Sequence, residues 1–222
     1  VRYFGEVSMQ LQQLLQQGLV WQGQQHQHHD QQQFFDSGWA ELNQHLGGGW
    51  LCGSVNELQV AQPFSGELAL LVPLLRQLKR PSLWLNPPAQ PYWPGLLHQQ
   101  IQQPPLLVRT HSDEHAVWVL EQTMQSRQCG VLLAWLPKLP AAWVRRLQQC
   151  AEQHQQLVFI FSSWQASDEA RAYVNRLQLQ RPADKPQQGL QVGIKKRRFG
   201  WPLPPFRCPV DELLPVRRRL FT

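Results

Sequence analysis

The chain has 222 residues, a net charge of +6, 42% hydrophobic residues and only 16% charged ones. That is room for one α/β domain with a sizeable core and an extension, and too few charges for a disordered acidic or basic protein. No apolar run reaches the roughly 20 residues of a membrane span, and the opening residues lack the apolar stretch of a signal peptide, so a cytoplasmic protein without a membrane partner is expected. Gln fills much of the polar surface, broken by Leu and Trp at helical spacing, as on a soluble surface. The four cysteines, Cys52, Cys129, Cys150 and Cys208, are far apart and form no C-x-x-C, which predicts reduced thiols and no metal site or cofactor. The charge is uneven. Residues 181–222 hold ten Lys/Arg against three acids, and the rest holds eleven against twelve. A neutral body with a basic end points to an acidic or nucleic-acid partner.

Residues 1–34 are predicted to form an N-terminal helix and a polar linker. Leu11, Leu14 and Leu15 follow helical spacing within Met9–Trp21, and Gly18 ends the pattern. This stripe either packs on its own domain or meets a partner helix. Gln22–Gln33 is a polar linker whose His26, His28, His29 and Asp30 read as solvated rather than metal-binding.

An α/β domain is expected over residues 35–194. Ser37 or Asp36 can cap a short helix carrying Trp39 and Leu42. Gly47, Gly48 and Gly49 predict a turn with positive φ. Val55–Leu58 reads as a strand, followed by a loop and a core helix over Glu67–Lys79 kinked by Pro73. Further strands are expected at Leu83–Leu85, Leu106–Arg109, Gly130–Trp135 and Leu157–Phe161, with Asn86–Pro94 a rigid loop. Helices are expected from Ser112, through Val117, Leu120 and Met124, and over Pro140–Gln155, buried through Trp143, Leu147, Cys150 and Ala151. Strands alternating with helices predict a mostly parallel sheet flanked by helices. Ser167–Ala172 is expected to make a helical turn, and Leu177–Gln180 with Leu190–Ile194 a hairpin at a sheet edge. Residues 195–222 show no core-building periodicity and are expected to form a basic, Pro-rich tail.

The strand, loop and helix at Val55–Leu71 have the layout of a phosphate-binding loop, G-x-x-x-x-G-K-[ST]. On that pattern the first glycine is Ala61, Gly66 is kept, the lysine is Glu67 and the hydroxyl residue is Leu68. Glu67 sets a carboxylate where a cation meets the β/γ-phosphates, and Leu68 offers magnesium no oxygen. The plain alternative is an ordinary strand-to-helix junction. In the basic end, Lys195, Lys196, Arg197 and Arg198 stand beside Phe199 and Trp201, with Arg217, Arg218 and Arg219 further on. Cations neutralise phosphates and aromatics stack on bases or anchor in protein pockets, so DNA, a protein partner and plain solvation are the three readings.

Gly38–Leu58 resembles the segment before the ATP loop in the RecA fold family, S/T-G-x-x-x-L-(D/N)-x-x-L-G-G-G and then G-x-(I/V)-x-E-(I/L). The matching residues are Ser37, Gly38, Leu42, Asn43, Leu46, Gly47, Gly48, Gly49, Gly53, Val55, Glu57 and Leu58. The resemblance implies a RecA-like core with a degenerate phosphate loop. Its magnesium-binding Asp would fall at Trp135, a degenerate Walker B position, and its water-positioning Glu near Pro88. A pseudo-ATPase that is not an enzyme is therefore expected, and an active RecA-type ATPase is disfavoured.

Within that superfamily the chain most resembles the ImuA family of translesion-synthesis-associated proteins, and is also similar to the SulA cell division inhibitors. The block shared with both runs from Gly66 to Phe161. ImuA is favoured by Leu14, Leu15, Gly18, Val20, Trp21 and Gly23, and by Leu190–Pro202. This resemblance implies an accessory role in SOS mutagenesis, with RecA and an ImuB-type polymerase-like protein as partners; the SulA likeness implies FtsZ instead.

Overall fold

The computed structural model describes residues 33–61, 66–164, 171–182, 189–198 and 200–213. The expected Met9–Trp21 helix with Leu11, Leu14 and Leu15, the His-bearing linker, Phe199 and Arg217–Arg219 lie outside these residues. Two short strands, β1 (Phe34–Phe35) and β2 (Trp50–Leu51), pair antiparallel around helix α1 (Ala40–Leu46). Then follow β3 (Ser54–Val60), a 3-10 helix (Glu67–Leu71), α2 (Val72–Arg76), β4 (Ser82–Leu85), α3 (Trp93–His98) and β5 (Leu106–Val108). Next come α4 (Asp113–Ser126), β6 (Val131–Trp135), α5 (Ala141–His154) and β7 (Leu157–Ser163). The described chain closes with β8 (Asn175–Gln180), β9 (Leu190–Lys196), β10 (Leu203–Cys208) and a 3-10 turn (Val210–Leu213).

The main sheet has eight strands in the order β10-β9-β8-β3-β7-β6-β4-β5. It is parallel from β8 to β5, and β9 and β10 add antiparallel at one side. Register puts Leu58, Leu133, Phe159 and Leu177 on one face, under α1, the 3-10 helix and α2. Val55, Leu85, Leu132 and Ile160 face the other way, under α4 and α5. A mixed α/β fold with a largely parallel central sheet flanked by helices is thus what the sequence forms, compatible with a RecA-like core. Among the described residues no helix is long and apolar enough to cross a membrane.

Several expectations are corrected. The Glu67–Lys79 helix is two pieces. Val72 N–H bonds back to Ala69 O, as in a 3-10 turn, and Pro73 has no N–H to continue an α-helix upstream. Pro73 is instead accepted in the first turn of α2. The residue before α1 is Trp39, with no side-chain cap. Ser37 Oγ accepts from Trp39 N, and Asp36 Oδ1 accepts from Gly38 N and Asn43 Nδ2, which lowers the Asp36 pKa below its ordinary 3.8. The Asn86–Pro94 loop gives way to α3 at Trp93. Helix α5 buries Val144, Leu147, Gln148 and Ala151, while Trp143 and Cys150 are only half-buried. Gln148 is inside because it accepts from Val55 N and donates to Gly53 O, closing the open start of β3. Arg171 and Ala172 carry no helical turn, and the rest of that expected turn lies outside the described residues.

The largest correction concerns the end of the chain. The β8–β9 hairpin is not an edge, because β8 lies beside β3 and β10 covers β9. The tail expected from residue 195 is core up to about Val210: Phe206, Cys208 and Val210 are buried with Val192 and Ile194. Pro204 and Pro205 fall where the β9–β10 register shifts, and they hid the alternation. The irregular register there accommodates them, since prolines are found in sheets at edge strands and bulges.

At the sheet centre Glu57 is fully buried. Its carboxylate accepts from Arg176 Nε at 2.6 Å, and from Ser162 Oγ and Gln59 Nε2 at 3.0 Å each. Arg171 adds a second guanidinium at 3.9 Å. Burial and then the Glu57 charge push the nearby Tyr173 phenol pKa up. Removing one partner of such a pair strands a buried charge. Glu57→Gln should cost about 3–5 kcal/mol in urea unfolding, because it leaves the buried Arg176 and Arg171 without their carboxylate. A loss under about 1 kcal/mol for the single variant would show the pair to behave as a surface one.

Candidate functional site

The chain leaves β4 toward the first face, through α3, and leaves β6 toward the second, through α5. These two strands are neighbours. Their C-terminal ends therefore open a crevice of the kind in which open α/β sheets bind ligands. Gly66 and the start of the 3-10 helix close its third side. A cavity of about 380 Å³ lies there.

Its walls are Trp84 and Trp135 from the strand ends, Gly66–Leu68 from the loop, and Pro87–Tyr92 with Leu96 from the segment after β4. Trp135 stacks on Phe161 with ring centres 4.6 Å apart and tilts against Trp84 at 5.8 Å. Trp84 Nε1 donates to Ser82 Oγ. The proline-rich segment is held at its root by Asn86, which donates to Thr110 Oγ1 and accepts from Thr110 N. Each Asn86 bond ties the end of β4 to the end of β5, and three prolines then leave the wall few conformations.

Four positions singled out by the phosphate-loop overlay, Gly66, Glu67, Leu68 and Trp135, come together on this cavity, and Pro88 joins them. Ala61 sits exposed just past β3. Gly66 has φ of +90°, and a Cβ there would fall 2.5 Å from Arg181 Nη2. Arg181 is held by Asp211 at 2.7 Å, and Asp211 also accepts from Gly189 N. Glu67 is buried, and among the described residues it is the only charged one lining the cavity. The other described lining groups are the Trp84 and Trp135 indoles, the Tyr92 ring, prolines, leucines, Gly66, Ala89 and the Gln90 amide. They suit an apolar side chain or ring.

The basic residues fare differently. Lys195 is exposed on β9. Lys196 Nζ donates to Arg171 O, and burial, then the Arg176 charge, lowers its pKa. Arg197 Nε donates to Trp201 O and its Nη1 to His45 O, so it fastens the β9–β10 turn onto the end of α1. Trp201 is 85% exposed. Two of the four adjacent cations thus hold the fold together, and the run is not one uniform charged patch. Among the described residues no group of His, Cys, Asp or Glu is placed to hold a metal ion.

Tyr92, Trp84 and the proline wall were missed as site residues by sequence reasoning. Their signal was a Pro-rich segment directly after a buried strand, read only as a rigid loop. No protein-family model matches the chain, and no curated protein matches it.

Gly66→Ala should destabilise the protein by about 1–3 kcal/mol, because it strains the backbone at positive φ and presses on Arg181. Denaturant unfolding measures this. A change within about 0.5 kcal/mol would mean that the loop relaxes freely and does not depend on this glycine.

Proposed function

We propose that this chain is a non-catalytic adaptor of the ImuA kind, an accessory protein of SOS-induced translesion DNA synthesis that links RecA to an ImuB-type polymerase-like protein. The process and partners rest on the sequence resemblance. The non-catalytic part is supported by one observation, the crevice at the strand ends. Its described walls are mainly Trp84, Trp135, Tyr92 and prolines, with Glu67 the one charged residue among them. Phosphoryl transfer needs a cation on the phosphates, and the described lining side chains include none. Such a crevice suits protein recognition, where aromatic rings and apolar anchors carry most of the affinity.

In this proposal the Met9–Trp21 helix faces RecA, and the basic end serves the ImuB-type partner or DNA. Exposed Lys195 and Trp201 are the members of Lys195–Trp201 best placed to meet a partner. Deleting residues from 195 onward would remove β10 from the core, so Lys195→Glu and Trp201→Ala are the cleaner probes.

The full chain, immobilised, is exposed to RecA, an ImuB-type protein and FtsZ at two salt concentrations. Binding to RecA or the ImuB-type protein with FtsZ silent is expected, with the salt dependence reduced by Lys195→Glu. Binding to FtsZ alone would overturn the proposal in favour of a SulA-like division inhibitor.

A further inference from the structure

The turn between β9 and β10 holds an aromatic ring in water among cations. From Gly189 to Val210 the sequence carries Lys195, Lys196, Arg197, Arg198 and Arg207 and no acid. Trp201, in the turn, is 85% exposed. The turn is built to keep it there. Arg197 Nε donates to Trp201 O at 2.8 Å and Arg197 Nη1 to His45 O at 3.0 Å, so one guanidinium ties the Trp201 backbone to the end of α1. Gly200 makes room for that guanidinium. Its φ is +119°, and a Cβ there would fall 2.5 Å from Arg197 Nη2. The backbone that presents the indole is therefore set before any partner arrives.

The cations beside the ring keep their charge. Arg197 donates to two carbonyl oxygens, and Lys196 Nζ donates to a third, Arg171 O. A carbonyl fixes a cation without neutralising it. Lys195 is exposed on β9. Among the described residues none of these three is ion-paired with a carboxylate. An apolar pocket of a protein would cover the indole but leave Lys195 and Arg197 facing a surface that cannot solvate them. A single strand of nucleic acid meets both needs. Its phosphates take the cations, and an unpaired base offers the ring a flat face. A duplex keeps those faces in its own stack.

We propose that the β9–β10 turn binds single-stranded nucleic acid, with a base stacked on Trp201 and neighbouring phosphates on Lys195 and Arg197. This rests on the reading of the basic end as a partner-binding surface, and it narrows the partner to nucleic acid.

The test is fluorescence anisotropy of a labelled oligothymidylate of about 16 nucleotides, titrated with the full chain at two salt concentrations. Saturable binding is expected, weakening as salt rises. Trp201→Ala should lower the affinity about tenfold, and Trp201→Phe, which keeps a stacking face, should lose much less. Lys195→Gln should reduce the slope of log affinity against log salt by about 0.7, the share of one phosphate on a single strand. Both side chains are exposed, so the variants should fold, which thermal unfolding checks. No saturable binding, equal affinity for a duplex of the same length, or full affinity in Trp201→Ala would each overturn the inference. The same variants are titrated against the ImuB-type protein. Weakening there, with the oligonucleotide unbound, would overturn the nucleic-acid assignment and leave the basic end a protein-binding surface. Variants that change neither ligand's binding would overturn both.

Discussion

Glu57 is a carboxylate with no access to water, in the strand that every other part of the sheet is built upon. Such a group is tolerated only because Arg176 meets it from β8, Ser162 from β7 and Gln59 from its own strand. Those contacts tie β3 to both of its parallel neighbours, β7 and β8. They lock β3 between its neighbours in one register, since a slip of one residue would turn Glu57 into the opposite, apolar layer. The loop that leaves β3 therefore starts from a fixed point. Gly66, Glu67 and Leu68 are delivered to the ends of β4 and β6 because β3 cannot move.

What collects at that point is a change of chemistry at a site the fold provides anyway. Neighbouring parallel strands whose chains depart to opposite faces leave a crevice whatever their sequence. In this chain two tryptophans fill its floor and prolines stiffen its outer wall. The Trp135 indole, stacked on Phe161 and tilted against Trp84, gains from excluding water, the reverse of what a hydrated triphosphate and its metal require. The same geometry that can carry phosphate chemistry with amides and a lysine here presents Trp84, Trp135 and Tyr92.

The parallel half of the sheet was legible because its strands are continuous apolar runs and its helices carry single apolar stripes. Val131–Trp135 and Leu157–Ser163 stand where V-L-L-A-W and L-V-F-I-F put them, and Ser112 accepts from His115 N–H at the start of α4 as an N-cap should. Positive φ at Gly47, Gly48 and Gly49 followed from three glycines in a row. The antiparallel end was not legible. Pro204–Pro205 interrupt the alternation of β10, and a dense run of cations at Lys195–Arg198 concealed that Lys196 and Arg197 are spent on backbone carbonyls. The crevice was half legible. The loop positions on its near side could be found by motif, whereas Trp84 and Tyr92 meet them only through strand order, which local patterning does not encode.

The most direct test of the central claim, that this crevice receives apolar groups and not nucleotide, is calorimetric titration of magnesium-ATP into the full chain. The structure predicts no saturable binding up to about 1 mM, the upper end of ordinary enzyme affinities. Saturable, magnesium-dependent binding that Ala89→Trp abolishes would contradict it, and would return the crevice to nucleotide chemistry.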